Sequence, residues 1–130
     1  MQQYLATLKT ADTASVVLFS SVAAQRGMTF HASIAAAKGA VEGFTKSLAA
    51  EFAPKIRVNA IAPSIVDTPL ASGILRNEKI IENMVAKHPL KRILQPQDVA
   101  KTAFFLLSDA SEGITGQIIV QDNGLISLSV

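Results

Sequence analysis

The chain has 130 residues, enough for one domain with a modest core, and is 49% apolar and 17% charged, a globular rather than a disordered balance. Its net charge of +2 comes from scattered lysines and arginines with no basic run, which excludes nucleic acid as the expected partner. With no cysteine and two histidines, His31 and His88, neither a disulfide framework nor a metal cage is available.

The first residues, MQQYLATLK, lack the charged-then-apolar order of a signal peptide. No apolar run approaches the roughly 20 residues of a membrane span. A cytoplasmic protein with no membrane association is the expectation. Residues 2–9 carry Tyr4, Leu5 and Leu8 on one side and read as the last turns of a helix. Ala14 to Phe19 is a short apolar, β-branched run, the pattern of a strand buried on both faces. It ends at Ser20-Ser21, and a small-residue loop containing Gly27 follows. From 33 to 53 the spacing predicts a helix whose core stripe is Ile34, Ala37, Val41, Phe44, Leu48 and Phe52. A second stripe of small residues (Ala36, Ala40, Gly43, Ser47, Ala50) would let another helix approach closely. Pro54 closes the helix. Ile56 to Ile61 reads as a second buried strand ending at Ala62-Pro63. Short helical pieces follow around 70–75 and 77–87, then an amphipathic helix from Gln97 to Leu107. Gln117 to Val120 is the third strand, before Asp122-Asn123-Gly124. The order strand, helix, strand, helix, strand, with long crossovers, predicts an α/β fold with three parallel strands.

In such a sheet, ligands bind beyond the carboxyl ends of the strands. That selects Ser20-Ser21, Pro63 to Thr68 and Gln121 to Gly124. A serine after a strand is often only a turn residue. Lys38 adds weight to Ser21, because a lysine in the first turns of a helix opposes the dipole. Its small neighbours Ala35, Ala36, Ala37, Gly39 and Ala40 leave space around it, so it is expected to face a cleft.

The chain resembles the C-terminal half of a short-chain dehydrogenase/reductase along essentially its whole length. The resemblance rests on Ser21, Lys38, Asn59-Ala60-Ile61-Ala62-Pro63, Thr68, Pro89-Leu90-Lys91-Arg92 and Pro96-Gln97-Asp98-Val99-Ala100. It continues through Phe105-Leu106-Leu107-Ser108-Asp109, Thr115-Gly116 and Asp122-Asn123-Gly124. Each piece is weak alone; their order and spacing together are specific. The resemblance implies a Rossmann-type doubly wound parallel sheet, NAD or NADP as cofactor, and a small-molecule carbonyl or alcohol as substrate. It also implies a homo-oligomer packed through the 33–53 helix. Ser21 would hold the substrate oxygen, and Lys38 would bind the nicotinamide ribose. Pro63 and the Val66 backbone would meet the nicotinamide, with Thr68 nearby. Pro69 to Lys91 would form a substrate lid.

Three departures stand against this pattern. The family's proton donor is a tyrosine thirteen residues after the serine and four before the lysine; both counts arrive at Ile34, which has no proton to give. Tyr4 precedes the first strand and is no substitute. His31, three residues before Ile34, is the remaining candidate for a proton relay. Ser64 stands where the family usually has a glycine after the proline. No glycine-rich strand–turn–helix unit is present to receive a pyrophosphate. The expectation is therefore a single partial domain over 1–130, the C-terminal half without the dinucleotide-binding half, inactive alone. The alternatives are a non-catalytic nucleotide-binding or assembly subunit, or a truncated fragment.

Overall fold

The computed structural model describes Thr10 and residues 13–129. The helix expected over 2–9, with Tyr4, lies outside the described residues. Three strands, β1 (Ala14–Phe19), β2 (Ile56–Pro63) and β3 (Ile118–Gln121), form one sheet in the order β1-β2-β3. Both pairings are parallel, with Val16 opposite Val58 and Ala60 opposite Ile118. Three helices make the crossovers: α1 (Ala32–Phe52), α2 (Glu78–Lys87) and α3 (Pro96–Leu107). The chain is thus an α/β structure with a parallel sheet, as the strand–helix alternation predicts, and that sheet is Rossmann-like, as the resemblance implies.

The central strand is the apolar heart of the sheet. Val58, Ala60, Ile61 and Ala62 are fully buried, because β2 has a strand on each side and helices over its faces. One cluster joins Leu48 and Ala49 of α1 to Ile56 and Val58, with Val16 and Leu18 alongside. The second joins Ile61 to Val99 and Leu106 of α3, with Val17 and Ile119. Alternation along β1 thus sends Val16 to α1 and Val17 to α3.

Several boundaries differ from expectation. β2 runs two residues further, to Pro63, because Pro63 pairs with Gln121. The segment expected to be helical around 70–75 forms a short 3-10 turn, Pro69–Ala71, capped by Thr68. Pro69 sits at its first position, where a missing N–H costs nothing.

The larger correction concerns α1. The expected stripe assigned Ile34, Ala37 and Phe44 to the core, yet Ala37 is exposed, and Ile34 and Phe44 are 40% and 48% exposed. Leu48 is buried as expected and Val41 and Phe52 are partly covered, but Thr45 and Ala49 join Leu48 in the core, and Ala35, Lys38 and Glu42 are partly covered. The reason is polar. Ser20 Oγ donates to Glu42 Oε1 at 2.7 Å and lies 3.3 Å from the Lys38 carbonyl, while Thr45 returns its hydroxyl to the Val41 carbonyl at 2.7 Å. A polar residue whose hydrogen bonds are satisfied can be buried, and these bonds let Glu42 and Thr45 face the sheet beside Val41, Leu48 and Phe52. The small-residue stripe, with Phe44, is left exposed.

Candidate active site

The carboxyl end of β1 divides its two serines. Ser20 is 3% exposed and bonds under α1 through Glu42. Ser21 turns the other way: its Oγ accepts from the Ala23 N–H at 3.2 Å and caps the 3-10 turn Val22–Ala24. Its hydroxyl hydrogen meets no acceptor among the described residues, so Ser21 can donate to an incoming oxygen.

Lys38 approaches the same end of the sheet from α1. Its Nζ donates to the Phe19 carbonyl at 2.9 Å, anchoring the ammonium at the last residue of β1. An ammonium has three hydrogens, so two are left for a ligand. Ile34 precedes Lys38 by one turn on α1 and is half-exposed. His31 stands at the N-terminal boundary of α1 without capping it through its side chain. Its Nδ1 lies 2.7 Å from the Thr29 carbonyl; a carbonyl only accepts, so Nδ1 carries the hydrogen and Nε2 is the free acceptor of a neutral ring. Phe30, just before it, adopts φ 64 with its side chain wholly exposed.

The strand ends bring the second group of predicted residues close. The Ser20 N–H donates to the Ile61 carbonyl at 2.7 Å, and the Ser64 N–H to the Gln121 carbonyl at 3.1 Å. Ser20-Ser21, Pro63-Ser64 and Gln121-Asp122 therefore share one edge of the sheet. Beyond Pro63 the chain is pinned by a parallel bridge of Val66 with Leu94 and by the Asp67 N–H on the Leu94 carbonyl at 2.9 Å. Thr68 Oγ1 is 3.4 Å from both the Val66 carbonyl and the Ala71 N–H, so its hydroxyl serves the local turn. The Val66 N–H meets no acceptor among the described residues. An open cleft of about 430 Å³ adjoins this segment, lined by Asp67, Leu75, Ile81, Val85, Arg92 and Gln95 among others.

The third strand end is a built turn. Both oxygens of the buried Asp122 accept backbone N–H groups, from Gly124 at 2.8 Å and Ile126 at 2.7 Å. Gly124 has φ +86, and a Cβ there would lie 2.9 Å from Pro89 Cγ, so only glycine fits. The Asn123 amide donates to the Arg92 carbonyl at 2.8 Å, and Arg26 Nη1 donates to the Leu125 carbonyl at 2.9 Å. The turn thus joins the loop after Ser21 to the segment after α2.

Residue-type reasoning passed over His88 and Arg57. His88 is 3% exposed, with Nε2 3.1 Å from Ser64 Oγ. A histidine beside Pro89 carries no periodic signal that would have singled it out. Arg57, the second residue of β2, reaches the C-terminus of α3 through bonds to the Leu106 and Ser108 carbonyls, both at 3.0 Å. Its alternation position could have suggested a role in packing, but not its partner.

A family model described as enoyl-(acyl carrier protein) reductase matches residues 1–126. The chain belongs to the short-chain dehydrogenase/reductase family. Among curated short-chain dehydrogenases it is 38% identical to L-xylulose reductase of Bos taurus over 113 residues, covering 86% of this chain and 46% of that protein. It is 41% identical over 113 residues to the 3-oxoacyl-(acyl-carrier-protein) reductase of Thermotoga maritima, covering 86% and 45%. Among solved structures, a glucose/ribitol-type short-chain dehydrogenase/reductase from Brucella melitensis superposes with TM-score 0.83 at 35% identity, covering 89% of this chain and 47% of that one. A gluconate 5-dehydrogenase from Burkholderia cenocepacia, in complex with NADP and tartrate, gives TM-score 0.91 at 27% identity, covering 98% and 51%. The chain spans about half the length of the curated relatives it matches.

Among the described residues no group of three or more metal-ligating side chains is present, and no helix is long and apolar enough to cross a membrane.

Proposed function

We propose that the protein is an NAD(P)-dependent oxidoreductase interconverting a small-molecule carbonyl and alcohol. The 130 residues supply the carboxyl-side half of its Rossmann domain, which holds the reacting end of the cofactor. The observation that carries this reading is the pairing of Lys38 Nζ with the Phe19 carbonyl at 2.9 Å, beside a Ser21 hydroxyl whose hydrogen is unspent. Two ammonium hydrogens, one serine O–H and the Val66 N–H form a donor set that fits a nicotinamide riboside: ribose hydroxyls to Lys38, the carboxamide oxygen to Val66, the substrate oxygen to Ser21. The nicotinamide supplies or accepts the hydride. Ser21 polarises the carbonyl by hydrogen bonding where negative charge develops. Lys38 orients the ribose, and Pro63 to Thr68 bound the ring. The segment from Pro69 to Lys91 moves over the substrate.

Ile34 neither gives nor takes a proton, so water, the substrate or His31 completes the transfer, with His31 Nε2 as the acceptor when the alcohol is oxidised. The absence of a positioned acid costs about 10² to 10⁴ in rate. Turnover is therefore slow. The test is a carbonyl panel assayed with the full-length protein, following nicotinamide absorbance. Measurable turnover supports the reading, and intact dinucleotide binding with no redox change on any substrate overturns it.

The half-exposed Ile34 also favours a second reading, a non-catalytic subunit that binds a nucleotide or serves assembly. Ile34→Tyr separates the two. A rise of at least about 100-fold in kcat over a slow wild type is the outcome expected of a weakened enzyme. Activity in the variant alone identifies the wild type as binding-only. In either case we expect a cytoplasmic homo-oligomer formed through α1.

A further inference from the structure

The stretch from Ser64 to His88 leaves the sheet and returns to it, and its two ends are joined inside the protein. Ser64 is 8% exposed and His88 3%. His88 Nε2 lies 3.1 Å from Ser64 Oγ, and His88 Nδ1 lies 2.6 Å from the Met84 carbonyl. The carbonyl can only accept, so Nδ1 carries the hydrogen and Nε2 of the neutral ring accepts from the Ser64 hydroxyl. Each polar atom of the pair is thereby satisfied in a place that water does not reach, and removing either partner strands the other.

The pair lies next to the other fastenings of the same segment. The Val66–Leu94 bridge and the Asp67 N–H on the Leu94 carbonyl follow within three residues of Ser64. On the far side, the Leu90 N–H donates to the Asn123 carbonyl at 3.2 Å, and Pro89 packs against Gly124. Between these two sets of contacts, the Ser64–His88 bond is, among the described residues, the one side-chain link from the first residue past β2 to the residue that caps α2.

We propose that Ser64 and His88 are a positioning pair for nicotinamide binding: their buried bond holds the Pro63–Thr68 peptide in the orientation that leaves the Val66 N–H available. The proposal rests on the reading of this strand end as the nicotinamide site. The pair also ties the root of the 65–87 segment, so that segment moves about a fixed base.

The full-length protein is compared with Ser64→Ala, His88→Leu and His88→Gln. Two ligands are titrated: the nicotinamide dinucleotide, and ADP-ribose, which lacks the nicotinamide ring. Loss of one buried hydrogen bond corresponds to roughly tenfold in affinity. We expect the dinucleotide to bind about tenfold more weakly to Ser64→Ala and His88→Leu, with ADP-ribose unchanged. His88→Gln, whose side-chain oxygen can accept from Ser64, restores binding to within about threefold of wild type. In the wild type, ring nitrogen shifts of His88 report the Nδ1–H tautomer, and amide exchange at Val66 and Asp67 quickens in Ser64→Ala. Equal weakening of both ligands, unchanged dinucleotide affinity in a wild type that binds it, or an Nε2–H tautomer overturns the positioning role. A wild type that binds ADP-ribose but gains nothing from the nicotinamide overturns the site reading itself, and the pair's role with it. If His88→Leu fails to fold, His88→Gln and the tautomer measurement still decide.

Discussion

Lys38 is held by one backbone carbonyl, Phe19, at 2.9 Å on a partly exposed surface, so most of its hydrogen-bonding capacity is available to a ligand. Replacing it should therefore affect binding far more than folding. Lys38→Met in the full-length protein is expected to weaken nicotinamide dinucleotide binding by about 10- to 100-fold, the range of one charge-assisted hydrogen bond. Its midpoint of thermal unfolding should stay within a few degrees, which calorimetry would check. Ser21 was legible at this scale, as a hydroxyl after a strand with a lysine a helix away. Its neighbour was not: only the tertiary contact with Glu42 shows that Ser20 belongs to the core. Ile34 was legible as the residue standing where the resemblance puts a tyrosine, but its half-exposed setting depends on how α1 rolls against the sheet.

Among the elements, α3 is the most elaborately fastened. At its N-terminus the Asp98 carboxylate accepts from Arg92 Nη1 at 2.7 Å and from the Gln95 N–H at 2.9 Å. The Arg92 hydrogen bond first, and the Gln95 N–H second, hold the Asp98 carboxyl below the usual carboxylate range. A depressed folded-state pKa means that this contribution is present above the unfolded value near ~3.9. It is lost as pH falls through the lower folded value. Amide protection factors in residues 97–100 should thus fall in acid below about pH 4, and Asp98→Asn should remove that dependence. At the other end, Arg57 meets the Leu106 and Ser108 carbonyls, where the helix dipole favours a cation. Arg57→Met leaves those carbonyls without their charged donor and should lower stability by about 2–3 kcal/mol, measured by urea unfolding. Existence and type of β1, α1, β2, α3 and β3 were all readable, the strands from short apolar runs and the helices from periodicity. The extension of β2 to Pro63 was not, because it depends on a partner strand more than fifty residues away.

For the whole molecule, the outward face of α1 carries Ala36, Ala40, Gly43, Phe44, Ser47 and Ala50, all exposed. A face of small residues around one aromatic suits close helix packing, and we expect self-association at micromolar concentration in sedimentation equilibrium. Gly43→Lys is a clean probe, since a Cβ at Gly43 meets nothing within 4 Å. It should favour the helix by about 0.5–1 kcal/mol while shifting the protein to monomer. An unchanged assembly would place the interface elsewhere.

The sequence alone determined the alternation of parallel strands and crossover helices, the family likeness and which residues stand at the strand ends. The elements follow from local rules, helical periodicity and β-branched apolar runs, and the likeness from a series of short motifs in family order. Only the tertiary structure decided which face of α1 is buried, which of two adjacent serines is free, and that Ser64 meets His88. Each of these is a contact between residues at least eighteen positions apart, where satisfying a buried polar atom outweighs the apolar pattern of any one segment.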